Sequence, residues 1–123
     1  IAPKNIEAAL KNHRLINEAV VIGDRRKFLS CLLTLDPDAA AAFAAERGLG
    51  AVSLADDATL RAEVQAAVDA VNSELARVEQ IKRFTVLPRN LTIEDGELTP
   101  TLKVKRSKVY RNWEATIEEM YAD

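Results

Sequence analysis

Two short apolar runs separated by a charged turn constrain the fold of this chain more than any other feature. Residues 19–22 are all apolar, residues 23–27 are a glycine and four charged residues, and residues 28–35 are again mostly apolar. Apolar runs of about four to eight residues bounded by turn signals are typical of buried β-strands, and two such runs this close together predict a hairpin. We therefore expect a small sheet at the centre of the fold.

Helix signals flank this predicted hairpin. Apolar residues recur at helical spacing over residues 3–16, which begin with a proline suited to the first helical position. Asp36 is a typical N-cap, and the proline after it predicts an alanine-rich helix that ends near Gly48. From about Asp57 an apolar residue follows every three or four positions, which predicts a helix of roughly 25 residues.

The last third of the chain predicts a third strand, a small hairpin and a final helix. Residues 84–87 suit a strand that a proline ends, and Asp95-Gly96 is a strong signal for a two-residue hairpin turn. Ser107 is a candidate N-cap for the final amphipathic helix. The order of elements predicts one α+β domain over residues 1–123, with about three main strands plus a short hairpin flanked by helices.

Composition excludes several classes of protein. A net charge of −2 argues against general binding of nucleic acid or anionic membranes. The single cysteine, Cys31, excludes an internal disulfide, and the single histidine, His13, leaves no Cys/His set for zinc. No apolar run approaches the roughly 20 residues that span a bilayer, and no signal peptide opens the sequence. We expect a cytoplasmic location, with or without peripheral association with a membrane.

The chemistry of the chain is concentrated in residues 96–106. Lys103, Lys105 and Arg106 lie within four residues, directly after a Thr-Pro-Thr turn and directly before the final helix. Proline limits the backbone of such a turn. A lysine on a short, braced loop is suited to meeting an anion at a defined place, whereas one on a loose charged tail is not.

Two sequence blocks resemble a known family. They are residues 1–7 (IAPKNIE) and residues 98–106 (LTPTLKVKR), and the second is followed by Tyr110, Trp113 and Tyr121. Together they resemble the C-terminal lid domain of adenylate-forming (AMP-binding) enzymes, and more narrowly that of long-chain acyl-CoA synthetases, which are long-chain fatty-acid–CoA ligases. Leu102 stands where shorter-chain members carry a glycine, as it does in the long-chain branch. The resemblance covers essentially the whole chain.

The resemblance implies part of a two-step ligase. Fatty acid and ATP, with Mg²⁺, would give an acyl-adenylate and pyrophosphate, and the thiol of coenzyme A would then displace AMP. A large N-terminal AMP-binding domain and a hinge would precede Ile1, and the lid would reorient between the two steps. This domain alone is expected to be inactive and to hold no bound cofactor or metal.

The resemblance also assigns candidate residues. Lys103 would be the catalytic lysine, placed between the carboxylate and the α-phosphate, where two like charges about 4 Å apart repel by about 1 kcal/mol in water and more in a drier site. Lys105 and Arg106 are candidates for phosphate contacts or for structural pairing at the helix start. Arg25 and Arg26 are candidates for contacts with the nucleotide end of coenzyme A, although a solvated hairpin tip is the simpler interpretation.

Other residues and other functions have weaker support. We expect His13 to be packed or hydrogen-bonded and Cys31 to be a buried core residue. One alternative function is the lid of a fatty-acyl-AMP ligase that loads a carrier protein instead of coenzyme A. Another alternative, from a different class of function, is a non-catalytic module that binds nucleic acid or another anion through residues 103–108.

Overall fold

The computed structural model describes residues 3–50 and 53–123, within which lie five helices and three strands. In chain order they are α1 (Pro3–Leu10), β1 (Ile16–Ile22), β2 (Leu29–Leu35), α2 (Pro37–Arg47), α3 (Ala58–Asn72), β3 (Ile81–Val86), α4 (Arg106–Asn112) and α5 (Glu114–Tyr121). Short 3₁₀ turns at Leu54–Asp56 and Arg77–Glu79 precede and follow α3.

The sheet has the strand order β1-β2-β3 and is mixed. β1 and β2 form the predicted antiparallel hairpin, in which Val20 pairs with Leu32. β3 runs parallel to β2 on its other side, with Thr85 opposite Leu32. Parallel strands need a long crossover connection, and here α2 and α3 provide it. The predicted α+β fold, a small sheet flanked by helices, is confirmed.

Helices cover both faces of the sheet because successive strand residues point to opposite sides. Cys31 and Leu33 face one core, and Leu32 between them faces the other. The first core is closed by buried residues of α1, α2 and α3, which are Ile6, Leu10, Ala40, Phe43, Leu60, Val64 and Val68. The second is closed by residues of α4 and α5, which are Val109, Ile117 and Met120.

The limits of α2 follow from its caps, as predicted. The Asp36 carboxylate accepts a hydrogen bond from the Ala39 backbone N–H at 2.9 Å, which satisfies one of the free donors of the first turn. At the other end Gly48 has a φ of 66°, and the Leu49 N–H returns to the Ala44 carbonyl at 2.9 Å. A left-handed glycine of this kind is a common helix terminator.

Two predicted helices are shorter in the structure. α1 ends at Leu10, so His13 lies outside it and Ile16 begins β1. α3 has 15 residues instead of roughly 25. It ends at Asn72, whose side-chain amide both donates to the Ile81 carbonyl at 2.9 Å and accepts from the Ile81 N–H at 2.8 Å. This paired contact ties the end of α3 to the start of β3.

The small hairpin lies at a different place from the one predicted. Asp95-Gly96 forms a turn, with Gly96 at a φ of 75°, but the residues before it are not a strand. The Thr92 hydroxyl binds both the N–H of Asp95, at 3.0 Å, and its carboxylate, at 2.7 Å, so the segment curls on itself. The short antiparallel pairing is instead the single bridge between Leu98 and Val104.

The final helix also differs from its prediction. It begins at Arg106, the flanking residue Lys105 makes no side-chain capping bond, and the Ser107 N-cap prediction is wrong. The helix is interrupted at Trp113, where φ is −110° and ψ is 23°. The predicted single helix is therefore two short helices, α4 and α5.

A buried carboxylate, Glu97, holds the segment before α4 against that helix. Its side chain is fully buried and accepts two hydrogen bonds from the Arg89 guanidinium, at 2.8 and 3.0 Å. It also accepts from the Thr92 N–H at 3.1 Å, the Asn112 amide at 3.0 Å and the Trp113 indole at 2.9 Å. Burial alone would raise the pKa of Glu97, but these donors lower it to about 2.

We expect Glu97 to make folding stability depend on acid. Because the pKa of Glu97 is lower in the folded chain than its usual value near 4.5, its stabilisation is complete above that value and is lost as pH falls toward 2. Glu97→Gln should lower the free energy of unfolding at neutral pH by about 3 kcal/mol. The same variant should flatten the acid-dependent part of the curve, measured by urea unfolding across this pH window.

A matched control for this experiment is Glu94→Gln, since Glu94 is an exposed carboxylate on the same turn. It should leave both the stability and its pH dependence near those of the original chain. If Glu97→Gln and the original chain lost stability in parallel on acidification, another carboxylate would be responsible.

A second buried carboxylate, Glu7 on α1, joins the two ends of the domain. One of its oxygens accepts the Val21 N–H of β1 at 2.7 Å, and the other accepts from the guanidinium of Arg106 at the start of α4. Val21 lies on an edge strand, where a backbone donor has no ladder partner on its open side. Glu7 therefore satisfies the edge of the sheet and anchors α4 at the same time.

We expect Glu7→Gln to lower the free energy of unfolding by about 1–3 kcal/mol, because it weakens a charge-assisted contact and a buried bond to a backbone donor. Hydrogen exchange should report the change locally, as faster exchange of the Val21 amide. Lys4→Gln, on an exposed site of the same helix, is the control. An unchanged Val21 exchange rate in Glu7→Gln would contradict the proposed anchoring role.

Candidate functional site

The basic segment predicted from the sequence forms a tight, self-bonded turn over residues 99–103. The Thr99 N–H donates to the Lys103 carbonyl and the Leu102 N–H donates to the Thr99 carbonyl, both at 2.8 Å. The Thr99 hydroxyl accepts from the Lys103 N–H at 3.0 Å and contacts the Thr101 hydroxyl at 3.1 Å. Thr99 thus uses its N–H, its carbonyl and its side chain to close the turn.

The base of this turn is tied to the Glu97 cluster. The Lys105 N–H donates to the Glu97 carbonyl at 2.8 Å, so the two chain segments leaving the turn are joined directly below the bridge between Leu98 and Val104. The side chain of the same Glu97 is held by Arg89 and Trp113. The turn is therefore attached through its base to Glu97, whose buried carboxylate is hydrogen-bonded at both oxygens.

The Lys103 side chain projects from this rigid turn into solvent. It is exposed, and across residues 3–50 and 53–123 it has neither a hydrogen bond nor an ion pair. Its position is fixed by the backbone, while its ammonium group is free to meet an anion supplied from outside. A compact ammonium acts as a point charge, which suits an anion whose geometry changes during a reaction.

Leu102, directly before Lys103, has an unusual backbone conformation. Its φ is 66°, in the left-handed region that glycine favours, and 62% of its surface is exposed. A three-residue loop between paired strands commonly ends in a residue of this conformation. A leucine there costs about 1 kcal/mol relative to glycine.

The neighbouring cations have different environments. Arg106 is paired with Glu7, and this hydrogen bond raises the pKa of the guanidinium despite partial burial. Lys105 is exposed at the N-terminus of α4, and its side chain has no acidic partner in the part of the chain that the structure describes. Of the predicted supporting residues, Arg106 therefore has a structural partner and Lys105 does not.

The two arginines predicted to contact coenzyme A lie side by side on the turn between β1 and β2, but their environments differ. Arg25 is exposed with a φ of 59°. Arg26 donates hydrogen bonds to both carboxylate oxygens of Glu118 on α5, which raise its pKa, and its guanidinium lies 4.7 Å from the centre of the Tyr121 ring. Asp24 from this turn and Arg106 line the same open groove.

His13 and Cys31, which the sequence predicts to have structural roles, both have contacts within the fold. The Leu15 N–H donates to His13 Nδ1 at 3.1 Å, so Nε2 carries the proton and donates to the Glu63 carboxylate, also at 3.1 Å. The Cys31 thiol is fully buried, and burial raises its pKa strongly. A hydrogen-bonded histidine and a buried cysteine are what the sequence predicts.

Metal-binding clusters and membrane-spanning helices are both absent from the described ranges, 3–50 and 53–123. Within them no three His, Cys, Asp or Glu side chains come together as a set that could hold a metal ion. Nor does any helix in these ranges have the length and apolar character needed to cross a bilayer.

Two buried carboxylates that position the site are not evident from the sequence. Glu7 and Glu97 are two of 19 acidic residues, and nothing in their immediate sequence separates them from solvated ones. One signal was available for Glu97: a tryptophan predicted to anchor the last helix needs an acceptor for its indole N–H. Trp113 finds that acceptor in the carboxylate.

Comparison with known proteins gives a consistent family assignment. A family model of the AMP-binding enzyme C-terminal domain matches residues 1–123. A long-chain-fatty-acid–CoA ligase of Mycobacterium tuberculosis is 39% identical, over 98% of this chain and 21% of the relative. A human long-chain-fatty-acid–CoA ligase is 32% identical, over 100% of this chain and 20% of the relative. The chain thus spans about a fifth of the length of these curated relatives.

Solved structures show the same fold. The adenylation domain of a carboxylate reductase from Mycobacterium chelonae superposes with a TM-score of 0.77 at 26% identity, covering 100% of this chain and 18% of that one. The adenylation domain of a carboxylic acid reductase from Segniliparus rugosus gives 0.74 at 23%, covering 98% and 18%. With the family match over the whole sequence, these findings show that the chain belongs to the AMP-binding enzyme C-terminal domain family.

Proposed function

We propose that this domain is the mobile lid of a long-chain fatty-acid–CoA ligase and that Lys103 is its adenylation lysine. The observation that carries the proposal is the unpaired Lys103 ammonium on a self-bonded turn. The relatives named as long-chain-fatty-acid–CoA ligases support the substrate class and coenzyme A as the acceptor. A large N-terminal domain would hold ATP, with its Mg²⁺, and the fatty acid.

In the first step, a carboxylate oxygen of the fatty acid attacks the α-phosphorus of ATP. The bond from that phosphorus to the bridging oxygen breaks, and pyrophosphate leaves with the electron pair. Both reactants are anions, so a cation between them offsets their repulsion and stabilises the charge of the transition state. Lys103 would supply this cation, and the rigid turn would deliver it to the same place in each cycle.

In the second step, the sulfur of coenzyme A attacks the acyl carbon, AMP leaves, and the thiol proton passes to solvent. The lid would turn so that a different face meets the N-terminal domain. Arg25 is the better placed of the two candidate arginines for a contact with the nucleotide end of coenzyme A, because Arg26 is already engaged by Glu118 and Tyr121. Lys103 would have no role in this step.

Lys103→Ala in the full-length enzyme should separate the two steps. ATP–pyrophosphate exchange, which reports adenylation, should fall by roughly 10²–10³, as expected for loss of one preorganised charged group. Thioester formation from supplied acyl-adenylate and coenzyme A should stay close to the rate of the original enzyme. Lys103→Arg should restore little activity, because a planar guanidinium does not replace a compact ammonium.

Lys82→Ala is a matched control, because Lys82 is an exposed lysine on β3, away from the turn. It should leave both steps unchanged. Equal loss of both steps in Lys103→Ala would contradict the assigned role. The acceptor is tested separately, by supplying the original enzyme with acyl-adenylate and either coenzyme A or a carrier protein; transfer to the carrier protein alone would overturn the choice of coenzyme A.

A further inference from the structure

Leu102 combines two properties that occur together at no other described residue. Within residues 3–50 and 53–123, the exposed large apolar side chains are Val78, Ile93 and Leu102. In the same ranges, the residues other than glycine with positive φ are Arg25, Ser53 and Leu102. Single exposed apolar residues are common on protein surfaces and need no special cause. An exposed leucine in a conformation that glycine would adopt without strain is different.

The turn itself does not need the leucine side chain. Its closing hydrogen bonds use the backbone of Thr99, Leu102 and Lys103 and the hydroxyl of Thr99. The backbone conformation at position 102 is the one that a glycine would satisfy best. The leucine side chain is mostly exposed, so it contributes little packing within the domain. A contact outside the domain would make use of the exposed part of this side chain.

The position of Leu102 indicates what that contact is. Consecutive Cα atoms are about 3.8 Å apart, so a turn that delivers Lys103 also carries Leu102 to the same region. In the proposed reaction, the molecule met there has a carboxylate joined to an apolar chain. A cation recognises the carboxylate, and an apolar group beside it can cover the adjoining methylenes.

Water exclusion would make this contact useful to the reaction. The attraction between Lys103 and its anionic partners is about four times stronger at an effective dielectric of 20 than in bulk water. A leucine closing the space beside the ammonium removes water from that contact. It would also keep water from attacking the acyl carbon of the adenylate, a reaction that would return free fatty acid and AMP.

We propose that Leu102 is a positioning residue for adenylation: its side chain seals the carboxyl end of the bound fatty acid when the turn delivers Lys103. This proposal rests on the proposed function. It assigns the apolar half of the turn to the apolar part of the substrate. The charged half, Lys103, is assigned to the carboxylate and the α-phosphate.

The test compares Leu102→Ala with Leu102→Gly in the full-length enzyme. Both remove the branched apolar end of the side chain, but only glycine relieves the positive φ. We expect ATP–pyrophosphate exchange to fall by about tenfold in both variants, because both lose the shielding of Lys103. Release of AMP without coenzyme A should rise relative to adenylate formed, and thioester formation from supplied acyl-adenylate should not change. The glycine variant should melt at or above the temperature of the original enzyme.

Three further variants separate the effect of the Leu102 side chain from effects of backbone strain and of general surface apolarity. Leu102→Met keeps an apolar side chain and should recover most of the exchange rate. Ser53→Gly relieves a positive φ elsewhere, and Val78→Ala removes an exposed apolar side chain elsewhere. Both should leave exchange and AMP release unchanged.

The outcomes distinguish this proposal from the one on which it rests. Original rates in Leu102→Ala would overturn it, whether or not Leu102→Gly is impaired, because the side chain would then have no role. If Lys103→Ala lowers exchange and both Leu102 variants do not, only the Leu102 proposal fails. If Lys103→Ala leaves exchange intact, the proposed function fails and the Leu102 proposal fails with it.

Discussion

The Glu97 carboxylate is the interaction on which the geometry of the site depends. A buried carboxylate is costly unless its oxygens are fully hydrogen-bonded. Here Arg89 binds both oxygens, and the Thr92 backbone, Asn112 and Trp113 supply the remaining donors. These donors come from the segment before the turn and from α4 with the residue that ends it. The carboxylate therefore fixes how the turn is oriented relative to its supporting helix.

The fold gives the cations of the two basic segments different environments. Arg106 is paired with Glu7, and Arg26 in the other basic turn is paired with Glu118. Lys103 is left exposed on a rigid turn. The charges alone do not distinguish these residues within their clusters, and only the family resemblance marks Lys103. Their difference arises from partners distant in sequence, since Glu7 lies 99 residues from Arg106 and Glu118 lies 92 from Arg26.

Local signals in the sequence predicted much of the fold. The β1–β2 hairpin and both ends of α2 follow from apolar runs and caps, and the structure confirms them. Two of the predictions were wrong because a side chain bonded to a backbone group that the sequence does not identify. Asn72 ends α3 by pairing with Ile81, although the apolar spacing continues to Val78, which is 84% exposed. At Asp95-Gly96, the Thr92 hydroxyl curls the segment that would have been a strand.

The residues of the site also fall into those that local sequence signals predict and those that they do not. The position of Lys103 on a braced turn could be predicted, because Thr-Pro-Thr is a local signal and the family resemblance marks the lysine. The burial of Glu7 could not be predicted, because it depends on contacts with distant parts of the chain, and for Glu97 the one signal was the acceptor that the Trp113 indole needs. The positive φ of Leu102 has a hint in the resemblance, since glycine stands there in shorter-chain members. Neither the periodicity nor the composition of the sequence predicts this positive φ.

The covering of the sheet by α4 and α5 has a consequence for the order of folding. The hairpin and the first three helices can assemble from local contacts and one crossover, which close the first core. Val20, Ile22 and Leu32 on the opposite face are covered by helices that begin only at residue 106. During synthesis, that apolar face must stay open until the last part of this sequence has emerged. Lys103 lies directly before these helices, so the segment that carries the lysine and the segment that closes this aggregation-prone surface are synthesised one after the other.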